Sequence, residues 1–341
     1  SPVRNILKYK KVNDYLKKHK VIISLTTSPK RLKSIYAVLC TLDIENVNEI
    51  NIVLPKTYGS KKEKYNQKDI NYCKKFPKVK VMRTNIDYGP ITKMLPTIEK
   101  AKAKDIIISI DDDVCYPMGM VNEMIYAKIV RYPNHTISSP MEGFQMRKYI
   151  QNFKNLWPTK EYKRSPYIDI VEGWSGIAYD KCSANTEMMK KFAGISKHCY
   201  LSDDLVISYV LESSGIKKIG INNDYTFSPY PYEFGTGDDA LHKGGGADVK
   251  PRGIGDHDDS YNFQKYSICL EDIKRITQCP HCSIQEYQED VYKLLEHFKK
   301  ICNRQNIIYW ATFSTLLGAY RDYKMIEWED HIDVGMVKED I

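Results

Sequence analysis

The chain has 341 residues, of which 42% are hydrophobic and 28% charged, a balance typical of a soluble globular protein with one large and one smaller domain. It contains neither an apolar run near the roughly 20 residues of a membrane-spanning helix nor an N-terminal signal core, so we expect a cytoplasmic protein without a transmembrane segment. The net charge of +8 fits an anionic partner or a lysine-rich composition, and because no Lys/Arg block resembles a nucleic-acid arm, we expect no nucleic-acid partner.

Strand and helix patterns alternate along the first part of the chain. Short β-branched runs predict strands at residues 21–25, 50–54, 79–83 and 106–110. Helical patterns lie between them, at about residues 29–42 and 92–102, and the polar, lysine-rich residues 56–75 predict a surface loop and helix. This alternation predicts an α/β fold with a parallel sheet and helices on both of its faces.

The pattern becomes mixed after Pro117. Helices are predicted at residues 119–131 and 203–213, and short strands at 136–139 and 168–171. Residues 235–255 are rich in Gly, Asp and Lys and are read either as a mobile loop over a site or as disorder. The composition shifts near residue 277 and a periodic helix follows, so we expect a first domain over 1–276 and a second over 277–341.

The cysteines of this sequence predict neither a disulfide scaffold nor a metal site. There are nine, an odd number at irregular spacing, which fits a reducing compartment better than a disulfide scaffold. Cys279 and Cys282 form a single C-x-x-C pair, for which His281 and Cys302 are only weak candidates to complete a zinc site. We therefore expect reduced cysteines and no structural zinc.

Three consecutive carboxylates, Asp111, Asp112 and Asp113, follow the predicted strand at 106–110. Ligands of open α/β sheets bind at the carboxyl ends of the strands. Three adjacent carboxylates repel one another, and a cation relieves that repulsion. Asp111 and Asp113 lie two residues apart and can point to the same side, where hard oxygen ligands suit Mg²⁺ or Mn²⁺ bridging a diphosphate. The alternative is a solvated acidic turn.

Five motifs occur in one order over about residues 20–270. They are Ser24 to Arg31, Asp87 to Lys93, Asp111 to Asp113, Gly173 to Gly176 and Ser202 to Asp204. In this order the motifs resemble the GT-A glycosyltransferases of the family 2 group. The resemblance implies a GT-A (Rossmann-like) mixed sheet with helices on both faces, Mn²⁺ or Mg²⁺ as cofactor, a nucleotide-diphosphate sugar as donor and a glycan or glycoconjugate as acceptor.

The resemblance also implies roles for the residues on the donor side. Asp111 and Asp113 would hold the metal, with Asp112 near the ribose or the ion. Lys93 follows a Gly-Pro turn that fixes its direction, and it would reach a phosphate or the donor sugar; the alternative is a solvated helix lysine. The remaining predicted nucleotide contacts are Arg31, Thr26, Thr27 and Ser28; the alternative for Arg31 is a surface role.

Trp174 lies between two glycines and can stack on a sugar ring of the acceptor or of the donor, with Ser175 and Gly176 beside it; the alternative is a core tryptophan. An inverting transferase needs one general base, and the family pattern assigns this role to Asp204, with Asp203 supporting the acceptor. The alternative is that these acids cap the following helix.

A late histidine often supplies an extra metal ligand in such enzymes. Two histidines qualify, His242 in the glycine-rich segment and His257 just after it. A lone histidine is more often structural or solvated, so both assignments compete with that reading.

The last residues, from about 283 to 341, resemble the start of a LicD/fukutin-type nucleotidyltransferase-like domain. Acids are expected at alternating positions after Trp328, but here the positions hold Glu329, His331 and Asp333, and Ser314 stands where a glycine is usual. The resemblance therefore implies a truncated, inactive α+β fragment and a further C-terminal domain in a longer protein. The alternatives for the whole chain are a phosphotransferase or nucleotidyltransferase centred on this tail, and a glycan-binding scaffold on a degenerate transferase fold.

Overall fold

The computed structural model describes residues 10–59, 62–138, 167–221, 232–233, 258–278, 284–322 and 332–337. The strands of the main sheet are β1 (Val21–Thr26), β2 (Glu49–Pro55), β3 (Val79–Thr84), β4 (Ile106–Ser109), β6 (Thr136–Ser138), β7 (Ile177–Asp180) and β8 (Lys218–Gly220). They lie in the order β3-β2-β1-β4-β7-β6-β8. A separate two-stranded sheet pairs β5 (Val114–Cys115) with β9 (Tyr232–Glu233).

Helices flank the main sheet. They are α1 (residues 10–16), α2 (Ile35–Leu39), α3 (Gln67–Cys73), α4 (Leu95–Lys100), α5 (Met120–Tyr126), α6 (Thr186–Ala193), α7 (Lys197–Tyr200), α8 (Asp203–Ser213) and α9 (Asp258–Gln278). Short 3₁₀ helices occupy Gly89–Lys93, Gly173–Ser175 and Lys181–Ser183, and a π-helical turn, Ala127–Arg131, follows α5.

The strand register places the predicted motifs at one edge. β1 pairs in parallel with β2 and β4, and Ser24 of β1 lies opposite Ser109 of β4. Because parallel strands end at the same edge, the residues after β1 and after β4 come together there. β4 also pairs with β7 in the antiparallel direction, which makes the sheet mixed. The predicted α/β class, with a mixed sheet and helices on both faces, is confirmed.

The central strand β4 is buried on both faces. Ile106 and Ile108 belong to the core beneath α2 and α5, whereas Ile107 belongs to the core beneath α4, α6, α8 and α9. All three are 0% exposed, and burying each such side chain contributes about 1.5–3 kcal/mol. This double burial explains the unbroken apolar run before the carboxylates.

Several predicted elements differ from the structure. Residues 168–171 form no strand. The amide of Ile168 donates to the carbonyl oxygen of Lys218 of β8 at 3.0 Å, but the amide of Val171 donates to Oγ of Ser208 at 2.9 Å, so the pairing does not continue. The predicted helix at 29–42 is helical only over α2, because residues 29–34 form consecutive turns. The predicted helix at 92–102 divides into the 3₁₀ helix Gly89–Lys93 and α4.

The expectation of reduced cysteines is wrong for one pair, because Cys199 of α7 and Cys269 of α9 form a disulfide. The two residues are 70 positions apart, and their spacing alone did not reveal the pairing. Five free cysteines occur among the described residues, namely Cys40, Cys73, Cys115, Cys182 and Cys302. The C-x-x-C pair lies outside the described residues.

The C-terminal residues form a small α+β unit, as predicted. It contains α10 (Ile284–Gln305), β10 (Tyr309–Ala311), α11 (Phe313–Asp322) and β11 (Val334–Met336), with β10 and β11 antiparallel. The amide of Asp333 donates to Oγ1 of Thr315 at 2.7 Å, which ties β11 to α11. Glu329 and His331 lie outside the described residues. None of the helices in the described ranges has the length and apolarity to cross a membrane.

Candidate active site

The structure gathers most of the predicted site residues at the carboxyl edge of β1 and β4. Thr27 and Arg31 follow β1, and the three carboxylates follow β4. Asp203 and Asp204 stand in the first turn of α8, at the same edge. The carboxylates after β4 and the acids of α8 are about 90 residues apart in sequence, and they meet at this edge.

Asp112 is the anchored member of the carboxylate triad. Its side chain is buried and accepts hydrogen bonds from Oγ1 of Thr27 and from Nη2 of Arg31. The same guanidinium nitrogen lies 2.7 Å from Oδ2 of Asp113. Burial raises the pKa of Asp112 above its usual value, although the charge of Arg31 and the bond from Thr27 act in the opposite direction. Arg31 therefore links the triad to the loop after β1.

Lys93 joins the triad to the acidic pair of α8. Its Nζ donates a hydrogen bond to Oδ1 of Asp111 at 2.7 Å. The same atom lies 2.7 Å from Oδ2 of Asp203, and this contact is an ion pair without hydrogen-bond geometry. Burial opposes the charge of Lys93, but Asp111, Asp203 and Asp204 outweigh it and hold the pKa of the amine well above its usual value. Since Lys93 is only 2% exposed, the reading as a solvated helix lysine is wrong.

The turn before Lys93 is fixed by close packing. Gly89 has φ +72°, and a Cβ there would come within 2.5 Å of the carbonyl oxygen of Tyr200. Its amide donates to Oδ1 of Asp87 at 2.9 Å, and the amide of Tyr88 donates to Oγ1 of Thr92 at 2.9 Å. A glycine is required here by both backbone conformation and space. The turn therefore delivers Lys93 to the site in one direction.

Asp204 is held at both carboxylate oxygens. Its Oδ1 accepts from the amide of Gly173 at 2.7 Å, and its Oδ2 accepts from the hydroxyl of Tyr266 at 3.3 Å. Asp204 keeps partial exposure, whereas Asp203 is buried. Burial raises the pKa of Asp204 well above its usual value, and the negative charge of Asp203 adds to the rise. The N-cap of α8 is Ser202, so neither acid is the capping residue.

The Gly173–Ser175 turn packs beside Asp204. The indole Nε1 of Trp174 donates to Oε2 of Glu172 at 3.1 Å, and the ring is partly buried against the core. The hydroxyl of Ser175, 2% exposed, donates to the carbonyl oxygen of Glu172 at 2.9 Å. Gly176 ends the turn. Substrate contacts by Trp174, Ser175 and Gly176 stay predictions.

The other predicted nucleotide contacts have partners within the protein. The hydroxyl of Thr26 donates to the carbonyl oxygen of Val53 at 2.8 Å, within the sheet. Oγ of Ser28 accepts from the amide of Arg31 at 3.3 Å and shapes the loop after β1. The remaining predicted metal ligands, His242 and His257, lie outside the described residues.

Sequence reasoning missed two residues of this site, Lys265 and Tyr266 of α9. Both are buried, and the charge of Lys265 acts on Asp203 and Asp204. The available signal was the periodic apolar stripe of α9, which continues from Tyr266 through Leu270. Such a stripe is typical of a packed helix, but it does not indicate that Lys265 and Tyr266 lie near the acids of α8.

The donor atoms at this edge suit a hard divalent cation that is shared with a ligand. The side chains of Asp111 and Asp113 are 31% and 24% exposed, so both can be reached from solvent. Across the residues that the structure describes, no three His, Cys, Asp or Glu side chains form a group that would hold a metal ion. Mg²⁺ is commonly bound by one or two carboxylates with phosphate oxygens completing its shell, and this pair of acids fits that mode.

The C-terminal residues match a known family. Residues 306–341 match the family model "LicD/FKTN/FKRP, nucleotidyltransferase domain", which confirms the predicted resemblance of the tail over that range. No curated protein matches the chain.

Solved structures match at low identity. Glucosyl-3-phosphoglycerate synthase from Mycobacterium tuberculosis, in complex with Mn²⁺, UDP and phosphoglyceric acid, is 10% identical with TM-score 0.43, covering 67% of this chain and 75% of that one. TarS 1–349 from S. aureus is 10% identical with TM-score 0.40, covering 80% and 78%.

A mannosyltransferase from Pyrobaculum calidifontis, in complex with GDP-Man and Mn²⁺, is 13% identical with TM-score 0.36; the match covers 64% of this chain and 62% of that one, less than two thirds of its length. With every TM-score below 0.5, these similarities do not establish the architecture. The fold rests on the strand order and register of this chain.

Proposed function

We propose that this chain is a metal-dependent glycosyltransferase of the GT-A type. It transfers a sugar from a nucleotide-diphosphate sugar to a hydroxyl of a glycan or glycoconjugate. The observation that carries the proposal is the position of Lys93, whose buried amine lies 2.7 Å from both Asp111 and Asp203. This cation joins a solvent-accessible carboxylate pair to an acidic pair at the start of α8, so donor and acceptor chemistry can share one site.

The donor side neutralises the leaving diphosphate. Asp111 and Asp113 would hold Mn²⁺ or Mg²⁺, which when bound withdraws charge from the diphosphate oxygens. Arg31 and Lys93 add two fixed positive charges at the same edge, and fixed charges in a partly buried site cost no reorganisation during reaction. Asp112, anchored by Thr27 and Arg31, fixes the backbone from which both metal-binding acids project.

The acceptor side centres on Asp204, the more exposed of the two acids of α8. As general base it takes the proton of the acceptor hydroxyl, whose oxygen forms a bond to the anomeric carbon while the bond from that carbon to the diphosphate oxygen breaks. Attack opposite the leaving group inverts the anomeric configuration. Asp203, paired with Lys93, supports the acceptor side, and Trp174, which follows Gly173 in the chain, contacts a sugar ring.

A melting experiment tests the proposal. We expect one member of a panel of UDP- and GDP-sugars to raise the melting temperature only with Mn²⁺ present, because a ligand that binds the folded state stabilises it. The Asp113→Ala variant should lose this shift, whereas Asp14→Ala, a surface control on α1, should keep it. A stabilisation that is independent of Mn²⁺ and of Asp113, or none with any donor, would contradict the proposal.

The match of residues 306–341 favours a second candidate, a nucleotidyltransferase or phosphotransferase activity on the tail. We propose that residues 277–341 form a separate LicD-like domain. Asp113→Ala would leave a tail activity unchanged and would abolish the glycosyltransferase activity. A glycan-binding scaffold would instead bind glycan without hydrolysing any donor.

A further inference from the structure

We propose that Tyr266 of α9 is a positioning residue that orients the carboxylate of Asp204, and that the Cys199–Cys269 disulfide holds α9 where it does so. The inference rests on the proposed function, because it assigns Asp204 the role of base. It adds a residue and a covalent link from a helix that none of the sequence motifs includes.

Two donors hold the carboxylate of Asp204. The amide of Gly173 binds Oδ1 of Asp204 at 2.7 Å, and the hydroxyl of Tyr266 binds Oδ2 at 3.3 Å, from two different elements. With one donor on each oxygen, rotation of the carboxylate breaks at least one bond. Each carboxylate oxygen has a second lone pair, so the group can still accept a proton.

Tyr266 packs into the core from α9. Its ring is 8% exposed and lies in one core cluster with Leu270 and Ile273, at helical spacing, and with Leu205 of α8. Packing alone would be met by a phenylalanine. The hydroxyl is therefore the part of the side chain that serves Asp204, since a buried tyrosine hydroxyl generally needs a polar partner.

The disulfide links α9 to the segment before α8. Cys269 lies three residues, close to one helical turn, after Tyr266, and Cys199 lies four residues before Asp203, the first residue of α8. The covalent bond therefore joins α9 to the segment that leads into α8, directly beside the contact of Tyr266 with Asp204. Both sulfur-bearing residues are fully buried, so the bond lies inside the packed core.

Lys265, next to Tyr266 in the chain, also acts on the acids of α8. Lys265 is 6% exposed, and its amine lies 5.5 Å from the ring centroid of Tyr266. Its positive charge favours the ionised forms of Asp203 and Asp204, while burial lowers the pKa of Lys265 itself. One turn of α9 thus supplies both a hydroxyl and a cation to the acidic pair.

The test compares the kinetics of Tyr266→Phe with those of Tyr209→Phe. The control removes a hydroxyl from a ring that packs edge-on against Phe192 at the same core. We expect Tyr266→Phe to lower kcat by about 10- to 100-fold, because a misplaced catalytic group costs this much. The donor KM should stay within about twofold, and the control should change neither constant.

A double-mutant cycle separates positioning from stability. In an Asp204→Asn background, Tyr266→Phe should cause no further loss of kcat, because its effect passes through the carboxylate. The same loss in both backgrounds would overturn the inference. So would a kcat for Tyr266→Phe equal to that of the wild type.

The disulfide is tested with Cys199→Ala/Cys269→Ala. We expect a lower kcat with an unchanged donor KM, measured well below the melting temperature. Wild-type kinetics, or a chain that no longer folds, would overturn the role of the disulfide in positioning. An inactive wild type would overturn both the proposed function and this inference, whereas an active wild type with unaffected Tyr266→Phe would overturn this inference alone.

Discussion

Replacing Gly173 by alanine adds one methyl group between Lys93 and Asp204. A Cβ at this position would lie 2.4 Å from Nζ of Lys93 and 3.1 Å from Oδ1 of Asp204. The backbone of Gly173 does not have a positive φ, so alanine is tolerated by the backbone itself. The substitution therefore acts through the two side chains that meet the methyl group.

The magnitude follows from the distance. Ordinary van der Waals contact begins near 3.4 Å, so the amine of Lys93 must retreat by about 1 Å. It lies 2.7 Å from both Asp111 and Asp203, and it cannot move that far without lengthening at least one pair. With an effective dielectric constant of about 20, lengthening one such pair by about 1 Å costs roughly 1.5–2 kcal/mol.

The expected result is a weaker donor complex in a folded protein. The lengthened pair should lower the free energy of unfolding by roughly 1.5–2 kcal/mol, measured by urea denaturation, and the displaced amine should weaken binding of the nucleotide-diphosphate sugar with Mn²⁺, measured by calorimetric titration. The control is Gly194→Ala at the end of α6, where a Cβ would meet only backbone oxygens at 3.3 and 3.6 Å. Unchanged affinity and turnover in folded Gly173→Ala would refute the role given to Lys93.

Four further predictions concern the acids and the tail. Asp204→Asn should lower kcat by about 10²- to 10⁴-fold with little change in donor KM, and steady-state kinetics checks this. Because burial and Asp203 raise the pKa of Asp204, kcat/KM should increase with pH at higher pH values than it would with an ordinary aspartate as base. In Asp203→Asn the acid limb of this pH profile should shift to lower pH. A carboxyl with a raised folded-state pKa binds its proton more tightly in the folded state, so its contribution to stability is present at low pH and is lost as pH rises towards that pKa; urea unfolding of wild type and Asp204→Asn across this range would show the difference. A chain ending at Gln278, the last residue of α9, should keep Mn²⁺-dependent donor binding, and loss of binding would contradict the predicted domain boundary.

The positions of the motif residues on the strands and helices could be predicted from the sequence. The apolar run before Asp111 is a central strand because both of its faces are covered, and its carboxyl end must then face the ligand edge. Asp203 and Asp204 fall in the first turn of α8 as the pattern indicated. Local periodicity and the order of the motifs sufficed for these assignments.

The contacts between distant segments could not be predicted in this way. Tyr266 meets Asp204 across 62 residues, and Cys269 meets Cys199 across 70, and neither pairing leaves a local pattern. The same holds for Arg31 and Asp112, which meet only because β1 and β4 are neighbours in the sheet. Such contacts depend on tertiary packing between segments that are distant in sequence, and local sequence patterns do not predict that packing.

The most direct measurement is the release of nucleoside diphosphate from the donor that stabilises the protein, followed with Mn²⁺, with a chelator and in Lys93→Met. We expect release that requires the metal and falls by at least tenfold in Lys93→Met, because the variant removes the cation between Asp111 and Asp203. Release that continues without metal, or at the wild-type rate in a folded Lys93→Met variant, would contradict a glycosyltransferase site built around this lysine.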